Sequence, residues 1–423
     1  MKVILLCSFS NAIVREHLSF VIPKTLRWLY KLVRKHDLFS TSDYGVWNTN
    51  AIKEFERIDD VDLHVIAPFA FLKNRIQEFN HNGIHYHFYR DENSTFLKMM
   101  YRQVVRSHFD NFKHNRHLVR RLISSIKPDI VHLIGAENPQ YSLSLLDIST
   151  SIPTIVQLQT LLNDPDFKSN FPISESSYLY LSSVERKVLL RADYIGTKVD
   201  KFIKIIRTHI KPNATIINTD LAVGEYINPP AQEAKFDFVY FASNINKACD
   251  LALEAFGKAY QRRPTITLDI IGGYSSDYRS QLDSIIKKYG IANAVTFEGR
   301  LATHEDVIRQ IRMARFALLP LKIDIASCTI REAMSNGLPV ITTDTGELGT
   351  QLLNKEYDCV LISPKSDCQS IANNMIELLD DTSLADTLRQ NSYKRQQDNH
   401  NNKTVVNGYV NAYRKILWGK YEG

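Results

Sequence analysis

The sequence predicts an α/β protein made of two Rossmann-like, doubly wound domains facing a central cleft. Two patterns and the length carry this expectation. Short apolar runs rich in Val, Ile and Phe alternate with longer stretches of helical periodicity, which is the signature of βαβ units and parallel sheets. The alternation runs through the first half, breaks at Tyr226-Ile227-Asn228-Pro229-Pro230-Ala231, and then starts again. The chain has 423 residues. Domains of roughly 150 residues would leave room for two to three, each with its own core.

In chain order, the first set of strands falls at 3–7, 62–67, 84–89, 130–134, 154–158, 194–197 and 215–218. The second set falls at 236–241, 267–271, 294–297, 316–320, 340–343 and 359–362. Helical stretches lie between them, among them 248–262, 278–289, 305–313 and 370–379. The polar run Gln396-Gln397-Asp398-Asn399-His400-Asn401-Asn402-Lys403 reads as a loop before a last helix at 405–417.

Composition narrows the function classes. Hydrophobic residues make up 44% and charged residues 23% of the chain, which excludes disordered and coiled-coil proteins. No apolar run approaches the roughly 18 residues of a membrane span. The opening Met1-Lys2-Val3-Ile4-Leu5-Leu6-Cys7 is too short for a secretory core and reads as a buried first strand. Cys7, Cys249, Cys328, Cys359 and Cys368 are odd in number, widely spaced and without a C-x-x-C pair. That pattern argues against disulfides or zinc fingers and for a reducing, cytoplasmic setting. The net charge of +6 is unevenly placed: residues 1–220 carry +7 and the remainder −1. Such asymmetry points to an anionic partner, whether nucleic acid, a lipid surface or a phosphate-bearing substrate.

Several motifs are missing. Ser8-Phe9-Ser10-Asn11 follows the first strand with no G-x-G-x-x-G, which disfavours a dinucleotide cofactor. No P-loop, H-E-x-x-H or G-x-S-x-G occurs. What remains is a doubly wound enzyme that binds a nucleotide without a glycine fingerprint.

The informative segment runs from Leu318 to Ile341. It reads as a strand, a small-residue turn, a helix that starts near Ser327, and then Gly337 and Pro339 leading into another strand. A helix N-terminus offers N–H groups and the positive end of a dipole, which suits phosphate. Asp324 precedes that helix and Glu332 lies within it, so two carboxylates flank the anion site and can accept from sugar hydroxyls.

This segment resembles the E-x7-E element of retaining GT-B glycosyltransferases, particularly glycosyltransferase family 4 (glycosyl transferases group 1). Glu332-Ala333-Met334-Ser335-Asn336-Gly337-Leu338-Pro339-Val340-Ile341 is similar to the ending E-A-M-A-x-G-x-P-V-I. Lys247 with Ala255-Phe256 resembles K-G-x6-A-F. Ile270-Ile271-Gly272-Gly273 resembles the strand-plus-glycine element, and Val295 to Leu301 resembles V-x-F-x-G-x-V. In the first half, Pro128-Asp129-Ile130-Val131-His132 resembles P-D-V-V-H, and Ala192-Asp193-Tyr194-Ile195 resembles A-D-x-I.

The resemblance implies a GT-B fold: an acceptor-side domain over 1–225, joined by the C-terminal helix at 404–423, and a donor domain over 226–403. It also implies roles. Glu332 would hold the ribose hydroxyls of a nucleotide sugar, Asp324 would meet the donor sugar, and Lys247 would neutralise the pyrophosphate. Backbone groups at Arg300 and Leu301 would meet the base, and Cys328 and Thr329 would offer N–H groups to the diphosphate. The implied reaction is sugar transfer with retention to a saccharide or lipid-linked acceptor, in polysaccharide or glycoconjugate assembly. It needs neither metal nor cofactor, because lysine and the helix end stabilise the leaving phosphate.

Several positions depart from the family pattern. The arginine that precedes the lysine is replaced in Phe241-Ala242-Ser243-Asn244-Ile245-Asn246. Ile325-Ala326-Ser327 stands for Gly-Phe-Gly, and Glu137 stands near the place of the donor-side histidine. Tyr44-Gly45-Val46 is the nearest equivalent of the glycine loop that follows the first strand. These departures leave other readings open: a non-catalytic glycosyltransferase-like partner subunit, or an epimerase or inverting transferase on the same fold. Gly272 fits either a ligand contact or a turn, and Cys328 either a reactive thiol or a packing residue. Asp164-Pro165-Asp166 has the D-x-D spacing of a metal-binding pair, a triplet that also arises by chance.

Lys24, Arg27, Lys31, Arg34 and Lys35 fall on one face of a predicted helix at 22–36, opposite Leu26, Leu29, Tyr30 and Val33. A second basic stretch runs from Arg102 to Lys127. The helix suits peripheral contact with an anionic membrane beside a lipid-linked acceptor, or a core-facing helix with a solvated basic face. Nucleic acid is disfavoured, since no recognition motif accompanies the charge.

Overall fold

The computed structural model describes residues 1–21, 42–91, 111–170, 174–225, 227, 234–242, 247–323, 327–346 and 358–419. They fall into two compact units. One holds the described residues up to Ala222 and those from Asn402 onward, and the other holds Val223–Asn401. The helix expected at 22–36 and residue Asp324 lie outside the described residues.

The first unit is built on eight strands: β1 (Lys2–Leu6), β2 (Asp62–Phe69), β3 (Ile76–His81), β4 (Ile84–Arg90), β5 (Ile130–Ile134), β6 (Thr154–Gln157), β7 (Tyr194–Gly196) and β8 (Thr215–Ile217). They lie in the order β3-β4-β2-β1-β5-β6-β7-β8, all parallel except β3 against β4. The central strands are apolar on both faces because helices cover both: every residue of β5 is buried, as are the last four of β1. Helix Lys113–Ile126 shows how the covering works. Its Leu118, Val119, Leu122, Ile123 and Ile126 face the core, while Arg116 is held in a bidentate pair with Asp147 at 2.6 Å. The described part of the second basic stretch is thus a solvated helix face with an ordinary ion pair.

The last helix, Asn402–Leu417, packs within this unit. Its Tyr413 hydroxyl lies 2.6 Å from His132 Nδ1, and the Tyr409 ring meets the same imidazole edge-on at 4.8 Å. His132, on β5, is therefore a core residue. Burial pulls its pKa down to about 3, so the ring is neutral.

The second unit holds β9 (Phe236–Phe241), β10 (Leu268–Ile271), β11 (Val295–Gly299), β12 (Ala314–Leu318), β13 (Val340–Thr343) and β14 (Val360–Ser363), all parallel, in the order β11-β10-β9-β12-β13-β14. Its core centres on Phe238, Phe256 and Phe316. The polar run at 396–403 is not a loop. Helix Thr382–Arg395 continues as a wider turn through Gln396–His400, and the last helix starts at Asn402. Gln396, buried with its amide on the Arg331 carbonyl, shows why a polar sequence can stay helical there.

Strand order reverses between β1 and β5 in the first unit and between β9 and β12 in the second. The carboxyl ends of strands at such switch points are where open α/β sheets bind ligands. None of the described helices is long and apolar enough to cross a membrane.

Candidate functional site

In the second unit, the carboxyl ends of β9, β10, β11 and β12 carry the residues singled out by sequence. Lys247 follows β9 and reaches Ser327 Oγ at 2.7 Å. Ser327 is the N-cap of the Cys328–Ser335 helix but makes no side-chain cap bond. Its hydroxyl turns instead to Lys247 and, at 2.8 Å, to the Thr329 hydroxyl. An N-cap serine ordinarily satisfies the helix's own N–H groups. Here it links an ammonium to the positive end of the helix, so two cationic features share one place. Lys247 is partly accessible, yet the protein encloses its ammonium closely enough that desolvation lowers its pKa to about 8, offset in part by Cys328 and Glu332.

Glu332 lies one turn further into the same helix. Its Oε1 is 3.1 Å from His304 Nε2, and both side chains are shielded but not closed off. His304 opens the helix that follows the Arg300-Leu301 turn, so it joins the turn after β11 to the acidic residue after β12. Nothing in the local sequence singles out His304. In Thr303-His304-Glu305-Asp306 it looks like part of a capping box, and Thr303 does accept from the Asp306 N–H.

Gly272 ends β10. A Cβ there would lie 2.4 Å from the Ala242 carbonyl oxygen, so glycine is required by the close approach of two backbones. Its N–H donates to Gly299 O at 2.8 Å. A Cβ on Gly273 would sit 3.5 Å from that of Arg300, which brings the glycine turn and the Arg300-Leu301 turn together. Burial lowers the Arg300 guanidinium from its ordinary value. Lys247, Gly272, Arg300, Leu301, Cys328, Thr329 and Glu332 thus lie along one sheet edge.

The first unit has its own cluster at the carboxyl ends of β1, β5 and β6. Gly45 caps helix Val46–Phe55 with φ +63°, and a Cβ there would lie 2.4 Å from Ser8 O, so this turn is fitted to the segment after β1. Glu137 follows β5. Its Oε1 accepts from Asn138 at 2.9 Å, and its Oε2 is buried without a hydrogen-bond partner. Gln159, with its amide oxygen turned to Trp47 Nε1 at 3.0 Å, donates to Glu137 at 3.3 Å. Burial raises the Glu137 carboxyl to about 7, opposed by its own backbone and by Asn138. A carboxyl poised there can hold or release a proton at neutral pH.

Asp164 and Asp166, by contrast, both pair with Lys201 Nζ at 2.9 Å. Asp164 also accepts from the Asp166 N–H, so this D-x-D is a local turn closed by lysine.

Residues 227–395 match the family described as Glycosyl transferases group 1. The O-antigen chain mannosyltransferase C of Escherichia coli is 24% identical over 160 residues, which cover 37% of this chain and 42% of that protein. Sucrose-phosphate synthase from Thermosynechococcus elongatus superposes with a TM-score of 0.67 at 16% identity, over 99% of this chain and 100% of that one. HepE of Anabaena, in complex with UDP and glucose, gives a TM-score of 0.63 at 14% identity, over 97% and 99%. Residues within the second unit thus match a glycosyl transferases group 1 model, and the fold is that of the GT-B structures above.

Proposed function

We propose that the protein is a retaining glycosyltransferase that moves a sugar from a nucleoside diphosphate sugar to a saccharide or lipid-linked acceptor in polysaccharide or glycoconjugate assembly. The observation that carries this reading is the Lys247–Ser327–Thr329 chain at a helix N-terminus, with Glu332 in the same helix and all at a switch point. Two relatives support it further. The similarity to an O-antigen chain mannosyltransferase favours glycan assembly, and the fold shared with HepE, which binds UDP and glucose, favours a UDP-linked donor.

In this proposal the base rests against Arg300-Leu301, and the ribose hydroxyls bind Glu332 in place of His304. The diphosphate lies between Lys247 and the N–H groups at Cys328 and Thr329. Asp324 serves the donor sugar. Glu137 serves the first unit's share of the reaction, as a buried carboxyl near neutrality. The acceptor hydroxyl attacks the anomeric carbon on the face from which the C–O bond to phosphate breaks. The leaving phosphate oxygen takes the acceptor proton, and Lys247 balances the charge left on the diphosphate. The test is a panel of nucleotide sugars and acceptors followed by anomeric proton NMR. A product with the donor's anomeric configuration supports the proposal. An inverted product, or diphosphate binding with no turnover across the panel, overturns it.

Two expectations follow. Free Lys247 titrates near 8, and a bound diphosphate raises that value by favouring the charged form. Affinity for the diphosphate is therefore full below pH 8 and falls as pH rises above it, by at most about tenfold per pH unit. Calorimetry above pH 7, where the terminal phosphate no longer titrates, should show this slope in the wild type and a flat line in Lys247→Met. Chelator, for its part, should leave turnover nearly intact. Complete loss in EDTA, restored by Mn²⁺ or Mg²⁺, would overturn the metal-free mechanism.

A further inference from the structure

The amino-terminal end of the first sheet carries a side-chain cluster unrelated to the site above. Strands β2, β4 and β3 lie side by side there, with His64 opposite His85, His85 opposite Asn80, and His87 opposite Glu78. Period-two alternation puts Asp62, His64, His85, His87, Glu78 and Asn80 on one face. The three imidazoles stack, His64 on His85 at 4.6 Å and on His87 at 5.2 Å.

Their hydrogen bonds fix the tautomers of the neutral rings. His87 Nδ1 is 2.5 Å from Glu78 Oε1, and His85 Nδ1 is 2.8 Å from Asn80 Oδ1. Both partners are acceptors, so both Nδ1 atoms carry the hydrogen. His87 Nε2 is then a lone pair and accepts from His64 Nδ1–H at 2.9 Å. That leaves bare lone pairs on His64 Nε2 and His85 Nε2. Both lie beside one carboxylate oxygen, Asp62 Oδ1, at 3.3 and 3.4 Å. His64 Nε2 is buried and makes no hydrogen bond. Three acceptors converge with no donor between them, an arrangement that repels unless a cation sits at their centre.

We propose that Asp62, His64 and His85 form a binding site for a divalent transition metal of the zinc type. Zinc bonds of about 2.0–2.1 Å place neighbouring tetrahedral ligands about 3.3–3.4 Å apart, and the two measured edges match that separation. All three donor atoms lie within 4.8 Å of one another, and a tilt of the half-exposed His85 ring closes the third edge. The hydrogen bonds to Asn80, and through His87 to Glu78, are the outer contacts that orient metal-bound imidazoles. Asp62 opens β2 and His85 stands second in β4, whereas Glu137 follows the far end of β5. The metal would therefore staple β2 to β4 and take no part in transfer.

The test uses the full-length protein freed of metal by chelator. Zinc titration by calorimetry should show one tight equivalent, and thermal unfolding should shift upward on its addition. Asp62→Asn and His85→Ala, both partly exposed positions, should each lose most of that affinity. His87→Ala should weaken it about 10- to 100-fold through the lost relay. His117→Ala, at a surface histidine elsewhere, should bind as the wild type does. No stoichiometric uptake by the wild type at micromolar zinc, or unchanged uptake by His85→Ala, overturns the proposal. So does nitrogen NMR showing the cluster filled by a proton at neutral pH.

Discussion

Lys247→Ala is expected to lower kcat by about 10²- to 10³-fold, the usual cost of removing one preorganised group that faces developing charge. In the proposed transfer, negative charge would grow on the diphosphate as the bond from sugar to phosphate breaks, and the Lys247 ammonium, which donates to Ser327 Oγ at 2.7 Å, would meet it. Its pKa near 8 shows that holding the charge there without a ligand is unfavourable. A diphosphate bound as proposed would relieve that cost, and the gain would be larger in the transition state, where the charge is greater. Lys247→Arg should rescue only part of the loss, because a planar fork does not reproduce a compact point charge in an enclosed site. The check is steady-state kinetics beside a thermal melt. A folded alanine variant with wild-type kcat would remove Lys247 from the reaction.

The second unit was legible in the sequence because its chemistry sits in local pattern. Lys247 and the segment from Ser327 to Ile341 lie beside strands whose continuous apolar runs mark buried parallel sheet, and the structure joins them through the Lys247–Ser327 bond. His304 was not legible, because its contact with Glu332 spans 28 residues and its own neighbourhood reads as a helix cap. β3 was missed for another reason. In Ile76-Gln77-Glu78-Phe79-Asn80-His81 the two apolar residues are out of phase with a period of two, and an edge strand needs no buried face. The polar run at 396–403 has the composition of a loop, but composition carries no tertiary context, and there the buried Gln396 amide bonds the Arg331 carbonyl within a continuing helix.

Glu332→Ala is expected to weaken nucleoside diphosphate binding by about 1–3 kcal/mol, the cost of leaving buried polar partners unmade, or about 5- to 150-fold in Kd. The fold should survive, since Glu332 contributes no core packing and its partner His304 keeps access to water. A loss of that size could also come from disturbing the helix that carries Thr329, so the affinity of the variant alone does not decide the role. Ribose chemistry does. If the carboxylate grips ribose hydroxyls, wild-type protein discriminates against 2′- and 3′-deoxy nucleoside diphosphates, and the alanine variant binds them as well as the parent ligand. The coupling energy of that cycle isolates the contact. Equal discrimination by both proteins would show that Glu332 does not touch the ribose, and the site would then have to recognise its nucleotide through the base and the diphosphate alone.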